Sequence, residues 1–173
     1  MNHIKNFKVK NKEDIKNFLK HSSIFSPHQL VTGNGLSSYD YYGKLFQQFG
    51  VFDDLANSII DINPMPFLDM WANVNPPGTH VKPHDHFTAE HPNSVVGVYY
   101  LTKPINSGNL IIEDTEIEID EDDLVLFNDV DTHWSQKNES TENRIAISFN
   151  MNHKHHYQQR PRNYEPTTNK SYT

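Results

Sequence analysis

The chain contains no cysteine. That excludes a disulfide framework, a thiolate metal site and a cysteine nucleophile. A bound metal must therefore be held through nitrogen and oxygen, which suits Fe(II), Mn or Zn better than Cu(I) or an iron–sulfur cluster. An excess of positive charge is also missing. Lys and Arg number 15 against 22 Asp and Glu, the net charge is -7, and no basic stripe is visible. Nucleic acid is disfavoured as a direct electrostatic partner. There is no long apolar run, so no membrane span is expected. The opening MNHIKNFKVKNKEDIKNF is polar throughout and carries no signal-peptide core, which leads us to expect a cytoplasmic protein. A Gly-rich phosphate loop, a G-x-S-x-G elbow and an H-E-x-x-H helix are all absent.

What is present begins with a helical third. Asn11 can cap a short helix with Ile15, Phe18 and Leu19 on one face. Ser37 or Ser38 can open a second, with Tyr42, Leu45, Phe46 and Phe49 as its stripe and Gly50 ending it. Phe52, Leu55 and Ile59 indicate a third, up to the turn at 63–66. These aromatics read as core packing against a sheet. From Phe67 the hydrophobic period changes to two. Strands are expected near 67–74, 79–84, 95–102, 109–113, 116–119, 123–127, 133–137 and 144–151, separated by Pro, Gly, Asn and Asp turns. Eight short strands behind two or three helices predict a mainly β protein, a double-stranded β-helix or jelly roll. The expected organisation is one domain over 1–153, helical over 11–62 with a β core over 67–151, followed by a polar tail over 154–173.

The most informative stretch is GTHVKPHDHFTAEHPNSVVGVYYL at 78–101. Residues i and i+2 of a strand share a face, so His84 and His86 would lie about 7 Å apart along it and could grip one ion. His133 is a candidate third ligand. Among eleven histidines chance pairs are expected, and H-x-H alone also fits two surface histidines. Eleven residues beyond His133 stands Arg144, opening the strand RIAISFN. An arginine fork binds carboxylates in bidentate fashion and stays charged at working pH. Arg144, Ala146 and Ser148 would share one face, the small Ala146 leaving room for a ligand. A surface salt bridge at a strand end is the other reading of Arg144. Two close histidines, a distant one and a late arginine suggest a mononuclear metal oxygenase with a carboxylate co-substrate.

In order along the chain come WANVN at 71–75, PHDH at 83–86, GVYYL at 97–101, SG at 107–108, LVLF at 124–127, His133 and RIAISFN at 144–150. This series resembles the 2-oxoglutarate/Fe(II)-dependent oxygenase superfamily, in its prolyl-hydroxylase-like branch, including small bacterial and phage proteins of that kind. The resemblance implies a dioxygenase, with Fe(II), 2-oxoglutarate and O2, that hydroxylates an unidentified peptidyl or small-molecule substrate and yields succinate and CO2. It implies His84, His86 and His133 as iron ligands, Arg144 as the anchor of the co-substrate carboxylate, and Ser148 and Tyr100 as helpers there. A phage origin would place the protein in the host cytoplasm. His86 stands where most of the superfamily has a carboxylate, so the ion would keep its full charge.

A second resemblance is to cupins. Gly78, His84, His86, Glu90 and Gly97 reproduce the spacing G-x5-H-x-H-x3-E-x6-G, which implies Glu90 as a possible fourth ligand and a metalloenzyme without 2-oxoglutarate. Glu90 also reads as an ordinary loop residue. A non-catalytic jelly-roll binding module is a third possibility. Trp71 and Asn73 share one strand face and Ala72 and Val74 the other, and alternation alone does not say which face lines a pocket. Trp71 and Asn73 are candidate contacts to substrate or co-substrate. His80 and His91 read as solvated loop positions. An exposed edge strand leaves a homodimer open.

Overall fold

The computed structural model describes residues 1–153, and the expected polar tail over 154–173 lies outside the described residues. The chain order is β1 (Asn2–Ile4), α1 (Lys12–His21), β2 (Leu36–Ser37), α2 (Leu45–Gln48), a 3-10 turn (Gly50–Phe52), α3 (Asp53–Ile62), β3 (Phe67–Asn75), β4 (Val95–Thr102), β5 (Leu110–Ile112), β6 (Thr115–Ile117), β7 (Leu124–Asn128), β8 (His133–Ser135) and β9 (Arg144–Met151). A six-stranded sheet, β1-β7-β4-β9-β3-β2, faces a three-stranded sheet, β6-β5-β8, and every strand pairing is antiparallel. This is the mainly β jelly-roll architecture expected, with the helices at the N-terminal end of the chain.

The period-two pattern of the large sheet divides the apolar residues between two cores. Tyr99 and Leu101 of β4, Leu124 and Leu126 of β7, Ile147, Phe149 and Met151 of β9 and Met70 and Ala72 of β3 pack with the helices against Ile15, Leu45, Phe52, Leu55 and Ile59. Their neighbours Val96, Val98, Tyr100, Val125, Phe127 and Ala146 face the small sheet and meet Leu110, Ile112 and Ile117. Gly97 is needed where the large sheet packs tightly. A Cβ there would come within 2.0 Å of the Phe149 ring on the neighbouring strand.

One irregularity re-aims a strand. The β3–β9 register shifts between Phe67 and Asp69. Phe67 and Met70, three residues apart, both reach the helical core, while Leu68 and Asp69 both line the opposite face. An extra residue of this kind reverses the parity of everything after it. As a result Asp69, Trp71, Asn73 and Asn75 all line the same pocket.

Several local expectations are corrected. Asn11 occupies the N-cap position of α1, but its side chain makes no cap; the Nδ2 amide donates to the Val51 carbonyl at 2.7 Å and ties the helix to the 3-10 turn. No helix starts at Ser37 or Ser38. Ser37 pairs with Asn73 across β2 and β3, and the Ser38 hydroxyl accepts from the Ala72 amide at 3.0 Å. These serines are claimed by the sheet edge, so only Leu45–Gln48 remains helical, and Gly50 opens the 3-10 turn instead of closing a helix. The expected strand over 79–84 forms only isolated bridges, Val31 with Val81 and His84 with His133. Pro83 interrupts it because it has no amide proton to give to a ladder. The short polar strand β1 was not legible by alternation; it pairs with β7, and His3 also lies 2.8 Å from the Asp123 carboxylate just before that strand.

Candidate metal centre

The irregular segment that carries His84 and His86 is pinned by its backbone. His84 donates to the His133 carbonyl at 3.1 Å, and His133 returns the bond to the His84 carbonyl at 2.9 Å. The His86 amide donates to the Asp129 carbonyl at 2.9 Å, just before β8. The backbone therefore brings the three histidines together, and one ring nitrogen of each lies within 4.8 Å of the others. Among the described residues this is the one group of His, Asp and Glu so arranged.

The other ring nitrogen of each histidine is already engaged. Nδ1 of His84 lies 2.7 Å from the Lys82 carbonyl, and Nδ1 of His133 lies 3.0 Å from the Asp131 carbonyl. A carbonyl can only accept, so both Nδ1 atoms carry the proton and both Nε2 atoms present a lone pair. Nδ1 of His86 meets Oδ1 of Asn150 at 2.6 Å, to the same effect. Desolvation, together with mutual repulsion of the rings, lowers the pKa of His133 to about 3. Desolvation lowers His86 to about 4, and lowers His84 as well. All three are neutral imidazoles near pH 7, the form that ligates metal. Three neutral nitrogen donors on a partly buried face fit a borderline first-row ion such as Fe(II).

The triad sits in the wall of a cavity of about 560 Å³. This is within the usual range for a small-molecule site. Arg144 lines the same cavity and is only 2% exposed. Its Nη1 donates to the carbonyls of Ser107, Gln136 (3.1 Å) and Gly108 (3.4 Å), and its Nη2 donates to the Ser135 hydroxyl at 2.7 Å. Gly108 is required at φ +82, where a Cβ would lie 2.7 Å from the Gln136 and Lys137 carbonyls. Every one of these partners is neutral, and among the described residues no carboxylate pairs with this guanidinium. Burial accordingly lowers the Arg144 pKa, with only Tyr100 opposing it. Ala146, Ser148 and Asn150 follow Arg144 along β9 on the cavity face. Tyr100 of β4 also lines the cavity, its pKa pushed up to about 12 by burial.

Trp71 and Asn73 both line the cavity, and the Trp71 ring centre lies 5.7 Å from that of His86. Glu90 stands apart: it is exposed, outside the histidine group and outside the cavity wall. The fourth-ligand position implied by the cupin spacing is therefore corrected, since residues 87–90, after His86, run out as an irregular exposed loop. His91 is also corrected, because it lines the cavity instead of standing in solvent. His80 is half-buried, its Nδ1 3.3 Å from the Thr32 hydroxyl.

Among the cavity residues that the sequence reading does not single out are Asn150 and Asp69. Asn150 was within reach of it, because extending the Arg144, Ala146, Ser148 alternation by one step arrives there. Asp69 was equally within reach, because one step back from Asn73 and Trp71 arrives there; the register shift only separates it from Phe67.

By sequence, no protein-family model and no curated protein matches the chain. By structure it is similar to a prolyl hydroxylase from Trichoplax adhaerens in complex with a hypoxia inducible factor peptide, at 18% identity, TM-score 0.67, over 88% of this chain and 83% of that one. A prolyl-4-hydroxylase from Pseudomonas putida gives 15% identity and TM-score 0.63 over 87% and 91%. HygX from Streptomyces hygroscopicus, with nickel and 2-oxoglutarate bound, gives 12% and 0.64 over 87% and 81%. The chain thus has the fold of the 2-oxoglutarate/Fe(II) oxygenases, in the form found in prolyl hydroxylases.

Proposed function

We propose that this protein is an Fe(II)- and 2-oxoglutarate-dependent oxygenase that hydroxylates a peptidyl or small-molecule substrate. The single observation that carries this reading is the pairing, in one cavity, of three neutral imidazoles with a buried arginine that has no acidic partner among the described residues. A buried charge is costly unless a counter-charge arrives, and a bound dicarboxylate supplies one.

His84, His86 and His133 would hold Fe(II), and Arg144 would receive the far carboxylate of 2-oxoglutarate. When bound, the pair supplies the oxidising chemistry, in which O2 is consumed, the keto acid becomes succinate and CO2, and one oxygen atom enters the substrate. The remaining work belongs to the chain. Arg144 is already fixed by four neutral acceptors, so little side-chain freedom is left to lose when a carboxylate binds. Ala146 is a small residue on the cavity face, Tyr100 stands within electrostatic reach of the guanidinium, and Ser148 offers a hydroxyl group to the same cavity. Val98, Leu110 and Ala146 keep that end apolar and dry, which strengthens the charge pairing. Toward the outside, Trp71, Tyr39 and His28 form an edge-to-face run, with ring centres 5.0 and 5.7 Å apart, that offers an aromatic wall to the substrate.

The test is anaerobic reconstitution with Fe(II) and 2-oxoglutarate, followed by O2 and measurement of succinate. Metal-dependent succinate formation above a chelated control supports the reading. Failure of the wild-type protein to bind a divalent metal overturns it and favours a non-catalytic binding module.

A further inference from the structure

Asp69, Asn150 and His86 form a chain whose proton directions are fixed by chemistry. Asp69 and Asn150 are cross-strand partners on β3 and β9, and the register shift at the start of β3 turns Asp69 to the cavity side. The Asn150 backbone amide donates to Oδ1 of Asp69 at 3.1 Å, and the Asn150 side-chain amide donates to the same carboxylate. A carboxylate can only accept, so the amide must turn its NH2 group toward Asp69. Its carbonyl oxygen is then the atom left to face His86, 2.6 Å from Nδ1. His86 must in turn donate from Nδ1 and keep its lone pair on Nε2.

We infer that Asp69 is a positioning residue for the metal centre, acting through Asn150 to fix the tautomer and ring orientation of His86. The inference rests on the reading of the three histidines as a metal site. It assigns a role to a residue outside the ligand set and to the β3 irregularity that aims it. His84 and His133 take their direction from backbone carbonyls, which no substitution of a side chain can reverse. His86 alone depends on an amide that could equally well present its NH2 group, so it alone needs a third residue to settle the matter. The ion would also gain a negative charge two hydrogen bonds away, which partly offsets a ligand set that carries none. Burial raises the Asp69 pKa to about 6, against the Asn150 hydrogen bonds and the Lys44 charge, so the carboxylate is ionised at neutral pH.

The test compares wild type, Asp69→Asn, and the exchange variant Asp69→Asn with Asn150→Asp. In the single variant residue 69 no longer dictates the amide direction. In the exchange variant the new carboxylate at 150 accepts directly from His86, and the amide at 69 donates to it. Ni(II) affinity, measured by competition with a chelator, should fall roughly tenfold or more in Asp69→Asn, within the 10–100-fold range usual for partners behind a metal ligand. The exchange should recover most of that loss. In the Zn(II)-loaded protein, imidazole nitrogen NMR should show Nε2-bound, Nδ1-protonated His86 in wild type and in the exchange variant. Equal Ni(II) affinity in all three proteins, or an exchange variant no better than Asp69→Asn, overturns the role of Asp69. A wild type that binds no Ni(II) overturns the metal site itself, an outcome distinct from the other two.

Discussion

His84 and His133 exchange both backbone hydrogen bonds, at 3.1 and 2.9 Å, across 49 positions of sequence, and their ring centres stand 4.3 Å apart. The two residues form a bridge of antiparallel type without a strand on the His84 side. Such a bridge sets the separation of the two imidazoles by backbone geometry, which would lower the ordering cost of binding a metal there.

Removal of either proposed ligand should therefore abolish stoichiometric metal binding without unfolding the protein. His84→Ala and His133→Ala should each bind less than a tenth of the wild-type metal under the same conditions, an effect of at least roughly 1.4 kcal/mol. Glu90→Ala should bind as wild type does, because Glu90 is exposed and outside the group. Metal analysis after desalting checks all three.

The proposed co-substrate end can be blocked without touching the proposed metal ligands. Ala146 is 9% exposed, faces the cavity and lies between Arg144 and Ser148 along β9. Ala146→Leu adds three carbon atoms where the ligand would lie. Fe(II) or Ni(II) binding should be retained, while 2-oxoglutarate affinity, read by calorimetry on the Ni(II)-loaded protein, should fall by at least roughly tenfold, about 1.4 kcal/mol. Unchanged 2-oxoglutarate affinity would place the co-substrate elsewhere.

The metal-free protein should lose stability in mild acid. The pKa values of His86 and His133 fall from 6.5 to about 4 and about 3 on folding, and that of His84 falls too. Between pH 4 and 6.5 the unfolded chain then binds more protons at these sites, so stability rises with pH through this window. Asp69 works the other way. Its pKa rises from 3.8 to about 6 on burial, so the folded chain holds that proton until about pH 6. Two imidazoles against one carboxyl leave about one extra proton on the unfolded chain near pH 5, a slope of roughly 1.4 kcal/mol per pH unit, to which His84 adds. Urea unfolding of chelator-treated protein at pH 5 and pH 7 should show the lower midpoint at pH 5. Equal midpoints would mean that the histidines are not held neutral.

Gly97→Ala should destabilise the fold by roughly 1–3 kcal/mol, as overpacking of a tight core does. The added methyl group meets the Phe149 ring, which is itself fully buried between β3 and β4. A fall in thermal midpoint is the expected readout, and an unchanged midpoint would mean that the ring can move aside.

Much of this was legible in the sequence because period-two alternation is a physical consequence of the pleat. Residues 95–102 and 144–151 were placed as strands with their observed bounds, Val95–Thr102 and Arg144–Met151. The two faces of β9 follow at once from Arg144, Ala146 and Ser148. Alternation failed where tertiary contacts override it. Ser37 and Ser38 look like a helix start, yet they bond to β3 at the sheet edge. Residues 79–84 read as a strand, yet Pro83 leaves only bridges. The shift at Leu68 puts Phe67 and Asp69 on opposite faces despite their two-residue spacing, so alternation counted from Phe67 misplaces the carboxylate while alternation counted from Trp71 and Asn73 reaches it. Glu90 shows the opposite failure, a spacing that matched a ligand pattern while the loop carried the residue away from the metal face.

The proposed function requires one cavity to bind a metal on the three histidines and a dicarboxylate on Arg144. The most direct measurement is calorimetric titration of 2-oxoglutarate into anaerobic, Ni(II)-loaded protein, comparing wild type with Arg144→Gln and with metal-free wild type. One 2-oxoglutarate per chain is expected in the loaded wild type, weakening by roughly 2–5 kcal/mol when the buried charge partner is removed, with little binding without metal. Equal affinity of wild type and Arg144→Gln, each carrying its full complement of Ni(II), would contradict it.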